Sequence, residues 1–128
     1  MQLPFRIQSR PGDEPILSVD GAFGAPGLNL SHWPGNDTPA DLRHDLSTGA
    51  ALAFAHLAPE ERARRSEGCV AVANNHYDTD GVLAAFAVLY PEAARPREIA
   101  MLDAAAAGDL FRCPTELAFQ IDRIVTCL

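Results

Sequence analysis

Residues 74–81, Asn-Asn-His-Tyr-Asp-Thr-Asp-Gly, set an imidazole and two carboxylates between two apolar runs, residues 69–73 and 82–89. This order predicts a strand, a polar turn and a helix, with the chemistry at the turn. His76, Asp78 and Asp80 alternate, so in an extended stretch their side chains point the same way before the backbone turns at Gly81. One imidazole with oxygen ligands suits Mn²⁺, Mg²⁺ or Fe²⁺ better than a structural zinc, which prefers thiolates and imidazoles. The expectation is a divalent-metal site of His76, Asp78 and Asp80 at the carboxyl end of a strand, with Asn74 and Asn75 orienting a substrate. Asp and Asn are also common turn and N-cap residues, so one of these acids could simply cap the following helix. Capping needs only one residue, and this turn offers several.

A second polar cluster, Ser31-His32-Trp33-Pro34-Gly35-Asn36, follows another β-prone run. His32 is a candidate metal ligand or general acid and Trp33 a candidate cleft wall; the alternatives are a hydrogen-bonded loop histidine and a core tryptophan. Asp41, His44 and Asp45 are spaced to share a helix face, most simply a solvated one for Asp41 and His44, while Asp45 stays open and Arg43 could reach an anionic ligand if that helix starts at the cleft. His56 is read as a complement to its helix dipole. Asp103 and Asp109 flank an Ala-rich helix, and either could complete a metal site; for Asp109 a turn role is the alternative.

These groups need elements that end where they stand. Residues 16–19 form a short β-prone run stopped by the turn signal Asp20-Gly21, and residues 28–33 alternate apolar and polar side chains as a second strand. Residues 8–15 read as loop. Thr38-Pro39-Ala40-Asp41 predicts a helix start, Thr as N-cap and Pro in the first position, running to about Leu57 with Leu42, Leu46, Ala50, Ala53, Phe54 and Leu57 on one buried face. Residues 60–68 read as a polar connector, and residues 69–73 as a central strand covered on both faces. Helices are expected over residues 82–89, 97–107 with Gly108 as C-cap, and 114–126 with Leu117, Ile121, Ile124 and Val125 on one side. The order predicts an α/β fold, a Rossmann-like and mostly parallel sheet with flanking helices, as a single domain over residues 1–128. Ligands bind such sheets beyond the carboxyl ends of the strands. The two polar loops would form opposite walls of one cleft if their strands are parallel neighbours.

Composition limits the partners. Ten bases, every one arginine, stand against 17 acids for a formal charge of −7, which disfavours non-specific binding to nucleic-acid backbones. A small phosphorylated molecule remains compatible, recognised through a few local arginines or a metal. There is no apolar run of membrane-spanning length and no signal-peptide core at residues 1–6, so a cytoplasmic protein without membrane contact is expected. Cys69, Cys113 and Cys127 are odd in number and lack metal-type spacing, the pattern of reduced, mostly buried thiols. An open strand edge would favour a homo-oligomer.

The segment His76-Tyr77-Asp78-Thr79-Asp80-Gly81 resembles the first motif of the DHH phosphoesterase superfamily, in which an Asp-x-Asp pair with a preceding His or Asp binds Mn²⁺ or Mg²⁺ after the first strand. That resemblance implies a DHH-like N-terminal domain with His76, Asp78 and Asp80 as metal ligands. The chain contains no Asp-His-His, and its 128 residues are expected to hold only one domain, without the superfamily's second, substrate-binding one. Most of the chain also resembles an uncharacterised bacterial family, a domain of unknown function, through residues 30–35 (Leu-Ser-His-Trp-Pro-Gly), Thr38-Pro39, residues 42–47, residues 74–81 and Gly108-Asp109. Together the resemblances imply either a fragment or truncated form of a longer two-domain protein, or a metal site without the full catalytic apparatus.

Two functions follow as expectations. One is a hydrolase of phosphoester or phosphoanhydride bonds using Mn²⁺ or Mg²⁺ on His76, Asp78 and Asp80, with His32 and Asp109 catalytic and Asn74, Asn75, Arg43 and Trp33 binding substrate. The other is a non-catalytic module for a metal or small anion. No His-Glu-x-x-His, Gly-x-Ser-x-Gly or Gly-x-Gly-x-x-Gly is present to support a zinc peptidase, a serine hydrolase or a dinucleotide-binding protein.

Overall fold

A computed structural model describes residues 2–21, 24–110 and 113–127. Its four strands, β1 (Phe5–Ile7), β2 (Ile16–Val19), β3 (Gly27–Leu30) and β4 (Val72–Asn74), form one sheet in the order β1-β4-β2-β3 with every pair parallel. The helices are α1 (Ser47–His56), α2 (Pro59–Arg65), α3 (Thr79–Leu89), α4 (Pro91–Ala94), α5 (Glu98–Asp109) and α6 (Glu116–Thr126). The protein is α/β with an all-parallel sheet, consistent with the Rossmann-like architecture expected from its alternating elements. No helix among the described residues is long and apolar enough to cross a membrane.

Central parallel strands are covered on both faces and so carry small or apolar residues without alternation. Every residue of β2 and β4 is accordingly buried. Leu17, Val19, Leu30 and Val72 of the sheet share a core with Ala50 and Phe54 of α1 and Leu83, Ala84 and Ala87 of α3. Burying each larger side chain stabilises the fold by roughly 1.5–3 kcal/mol.

Several elements differ from the sequence expectation. β1 has no sequence signature and forms by pairing Phe5, Arg6 and Ile7 with Val72, Ala73 and Asn74. Residues 38–46 are not continuous helix. Thr38 Oγ1 donates to the Ser31 carbonyl at 2.9 Å and accepts the Ser31 N–H at 2.8 Å, so it is no N-cap, and only the 3₁₀ turn Ala40–Leu42 forms. The His44 ring then accepts the Leu46 N–H at 3.0 Å. Such side-chain bonds to the backbone compete with helix formation, and α1 starts only at Ser47. The connector after it is helical: Pro59 opens α2, and Glu61 pairs with Arg64 and Arg65 one turn on.

α5 continues through Gly108, which therefore is not its C-cap. In α6 the buried residues are Ala118 and Val125, while Leu117 and Ile124 face solvent. All three cysteines are free, but only Cys69 is buried; the expectation of mostly buried thiols fails for Cys113 and Cys127, which sit outside the core.

Candidate metal centre

Because β2, β3 and β4 are parallel, the segments that follow them emerge at the same edge of the sheet. The polar loops after β3 and β4 are not neighbours, however. β2 lies between their strands, and its next residue, Asp20, stands between the two loops.

Asp20 is fully buried and has φ of 64°, a left-handed conformation uncommon outside glycine but tolerated by Asp. Its N–H donates to the Leu30 carbonyl at 3.0 Å, and its own carbonyl accepts the Ser31 hydroxyl. In the side chain, Oδ1 accepts from Ser47 Oγ at 2.8 Å and from the Trp33 indole N–H at 3.1 Å. Oδ2 is buried without any hydrogen-bond donor.

Around Asp20 stand two groups of ligand-type atoms, each group lying within 4.8 Å of one another: Asp20, His32, Asp80 and Asp109 in the first, and Asp20, His76 and Asp78 in the second. In the first, His32 Nε2 is 2.9 Å from Asp109 Oδ2, 3.5 Å from Asp80 Oδ2 and 3.6 Å from Asp20 Oδ1. This buried nitrogen nevertheless has no hydrogen-bond partner. A hydrogen bond needs alignment as well as proximity; these ligand-type atoms stand close together without it, an arrangement that a cation among them would satisfy.

In the second group, Asp20 Oδ2 is 2.8 Å and Asp78 Oδ2 is 2.9 Å from His76 Nε2. His76 Nδ1 is 2.6 Å from Asn75 Oδ1, an acceptor. Nε2 thus stands between the two carboxylate oxygens while Nδ1 rests against the Asn75 side chain. Asn75 thus orients the imidazole as an outer partner commonly orients a metal-ligating histidine.

Backbone donors fix the carboxylates. Asp80 is buried; Oδ2 accepts the Ser47 N–H at 2.9 Å and Oδ1 the Thr48 N–H at 2.7 Å, at the positive end of α1. Asp78 is the N-cap of α3, accepting the Gly81 N–H through Oδ1 at 2.8 Å while Oδ2 faces His76. Gly81 has to lack a side chain: a Cβ would lie 2.2 Å from Asn74 Nδ2 and 3.1 Å from Asp20 Oδ2. α6 braces the loop from outside, where Tyr77 donates to the Val125 carbonyl at 2.8 Å and Thr79 to Asp122 at 2.6 Å.

Burial, and then the crowding of like charges, raises the pKa values of Asp20 and Asp109. Burial first, then the charges of Asp80 and Asp78, pushes Asp20 up to about 7. The same causes in the same order push Asp109 up to about 6. A divalent cation among these groups removes both penalties, and a donor set of carboxylate and imidazole without thiolate fits Mn²⁺ or Mg²⁺. The unpaired Asp20 oxygen and His32 nitrogen fit a cation equally well.

One family, described as a family of unknown function and designated DUF6687, matches residues 1–126. The chain belongs to DUF6687. No curated protein and no solved structure matches it. The matched span takes in every residue of the DUF6687 centre described above, from Asp20 to Asp109.

The residues singled out in this DUF6687 sequence are not all placed as expected. His76, Asp78 and Asp80 do come together at a strand end, but on two sides of Asp20 instead of one point, because Asp80 already lies in the first turn of α3. His32 and Asp109, expected to be catalytic, supply ligand-type atoms beside Asp80. Trp33 and Asn75, expected to touch substrate, hold Asp20 and His76. Asn74 is buried and accepts the Asn75 N–H at 2.8 Å. Arg43 donates to the Thr38 carbonyl at 3.2 Å. Asp103 belongs to neither group, Asp41 pairs with Arg65, and His56 pairs with Glu98. Sequence reasoning missed Asp20 and Ser47. Asp20 carried a signal, an acid directly after an apolar run in a parallel sheet, but Asp20-Gly21 was legible as an ordinary turn.

Proposed function

We propose that this chain is a hydrolase of phosphoester or phosphoanhydride bonds that depends on Mn²⁺ or Mg²⁺ held by Asp20, His32, His76, Asp78, Asp80 and Asp109. The observation that carries the reading is Asp20, one carboxylate shared by two groups of ligand atoms, the arrangement by which a protein holds paired cations. When bound, such a pair supplies charge that neutralises a phosphate and acidifies the attacking water. The chain's own residues keep that geometry: Ser47 and Trp33 fix one oxygen of Asp20, Asn75 fixes the imidazole of His76, and the start of α1 fixes Asp80. The Asp-x-Asp pair after a strand, which resembles the first DHH motif, supports the same chemistry. Four carboxylates facing one another repel a free anion, which disfavours direct anion binding without a metal.

Calorimetric titration with Mn²⁺, followed by release of p-nitrophenol from p-nitrophenyl phosphate and its bis-ester and of phosphate from pyrophosphate, tests the proposal. Metal binding and metal-dependent turnover, both lost in Asp20→Asn, are expected. Metal binding without turnover of any substrate would favour the non-catalytic metal-binding module, and absence of metal binding would reject both.

A further inference from the structure

We infer that the groove between β1 and α3 binds the apolar body, aryl or alkyl, of the phosphorylated compound whose phosphate the metal centre holds; this rests on the hydrolase reading above. The groove has a volume of about 450 Å³, within the range of small-molecule sites. Phe5, Ile7, Tyr77, Val82, Phe86 and Tyr90 are its main walls. Phe5 and Ile7 alternate on edge strand β1 and are 44% and 56% exposed, and the Phe86 and Tyr90 rings lie 5.5 Å apart, centre to centre. Solvent-facing apolar side chains gathered in one concavity mark a binding surface.

Two features select the occupant. First, the groove is continuous with the metal centre. His76 and Asn74 line it, and His76 Nε2 is the atom 2.8 Å from Asp20 Oδ2, so the centre and the groove share one imidazole. Second, the lining carries no Asp, Glu, Lys or Arg among the described residues. A second phosphate would find no cation there. A nucleobase would bring polar edges to a lining whose hydrogen-bonding side chains are few, Asn74, His76, Tyr77 and Tyr90, with the Tyr77 hydrogen given to Val125 and Asn74 Oδ1 already accepting from Asn75. A hydrocarbon or phenyl body leaves nothing unpaired.

Methylphosphonate and phenylphosphonate separate the two halves of the idea, since neither is hydrolysed. They would be titrated into the Mg²⁺-loaded protein by calorimetry and by methyl-resolved NMR. Phenylphosphonate should bind at least about tenfold more tightly, should move the methyl signals of Ile7, Val82 and Leu89 where methylphosphonate does not, and should lose the advantage in Phe86→Ala. Ile7→Ser, at an exposed edge position, repeats the test should Phe86→Ala fail to fold. Equal affinity for both phosphonates, or phenylphosphonate binding with unmoved Ile7 and Val82 signals, would overturn the groove assignment and leave the hydrolase reading intact. No binding of either phosphonate to protein that has taken up Mg²⁺ would overturn the hydrolase reading and this inference with it. A dimeric mass by light scattering that Ile7→Ser converts to monomer would assign the groove to a second copy and overturn the inference alone.

Discussion

Asp80 Oδ2 accepts the backbone N–H of Ser47 at 2.9 Å, across 33 residues of chain. With Oδ1 on Thr48 N–H, the carboxylate that faces His32 is also the N-terminal anchor of α1. Site and fold therefore share a residue, and the two roles are separable by experiment. Asp80→Asn places an amide NH₂ against a backbone N–H and should destabilise the metal-free protein by about 1–3 kcal/mol. Asp109→Asn has no such anchor to lose and relieves a repulsion, so its metal-free melting temperature should hold or rise while Mn²⁺ affinity falls. Thermal melts with and without Mn²⁺ check this; equal metal-free losses in the two variants would contradict it.

Stoichiometry should follow the grouping. The wild-type chain is expected to take two Mn²⁺, Asp109→Asn and Asp78→Asn one each, and Asp20→Asn none. Asn at position 78 keeps an acceptor for the Gly81 N–H, so the α3 cap survives that change. A single equivalent in the wild type that Asp78→Asn leaves untouched would restrict the centre to the His32 group.

The pH dependence has opposite signs with and without metal. An unfolded Asp loses its proton near pH ~4, whereas native Asp20 keeps its proton to about 7 and Asp109 to about 6. Between these limits the native state binds more protons than the unfolded one, so metal-free stability should fall as pH rises from about 4 to 7 and level off beyond. Below about 4 both states are protonated and the effect vanishes. Metals compete with those protons, so Mn²⁺ affinity should increase by more than about tenfold between pH 5.5 and 7.5, with proton release on binding. Calorimetry in buffers of different ionisation enthalpy reads both quantities, and a flat affinity profile would show that these carboxyls are already ionised at pH 5.5.

The parts of this molecule legible in sequence are those whose signal is local. Residues 16–19 and 82–89 declare themselves by unbroken apolar runs, and Asp78 by standing before a helix. β1 does not, because three exposed edge residues gain strand geometry only from β4, far along the chain. α2 lacks an apolar stripe and is held by Glu61 with Arg64 and Arg65, pairs that also occur on solvated connectors. The break before α1 is the most instructive miss. Thr38-Pro39 is a sound local helix signal, but a helix running on from there would give the Ser47 and Thr48 N–H groups to their own helix and leave buried Asp80 without donors. Tertiary demand at the site overrides the local start signal, and Asp20 was hidden for a related reason: its role depends on β3 and β4 flanking β2, which no local pattern states.

Gly81→Ala tests how tightly the centre is built. Its Cβ would meet the side chain of Asn74 at 2.2 Å, far inside contact distance, with Asp20 Oδ2 and Asp78 Oδ1 both at 3.1 Å. Asn74 is buried and bonded to Asn75, so it has little room to give, and overpacking of this kind costs about 1–3 kcal/mol. Helix propensity alone would favour Ala by up to ~1 kcal/mol, so the sign of the change decides between the two effects. A net loss of stability together with weaker Mn²⁺ binding is expected, since displacing Asn74 moves Asn75 and with it the His76 ring. A stabilised variant with unchanged metal affinity would show that the loop yields freely and that the close approach of Gly81 to Asn74 does not set the position of His76.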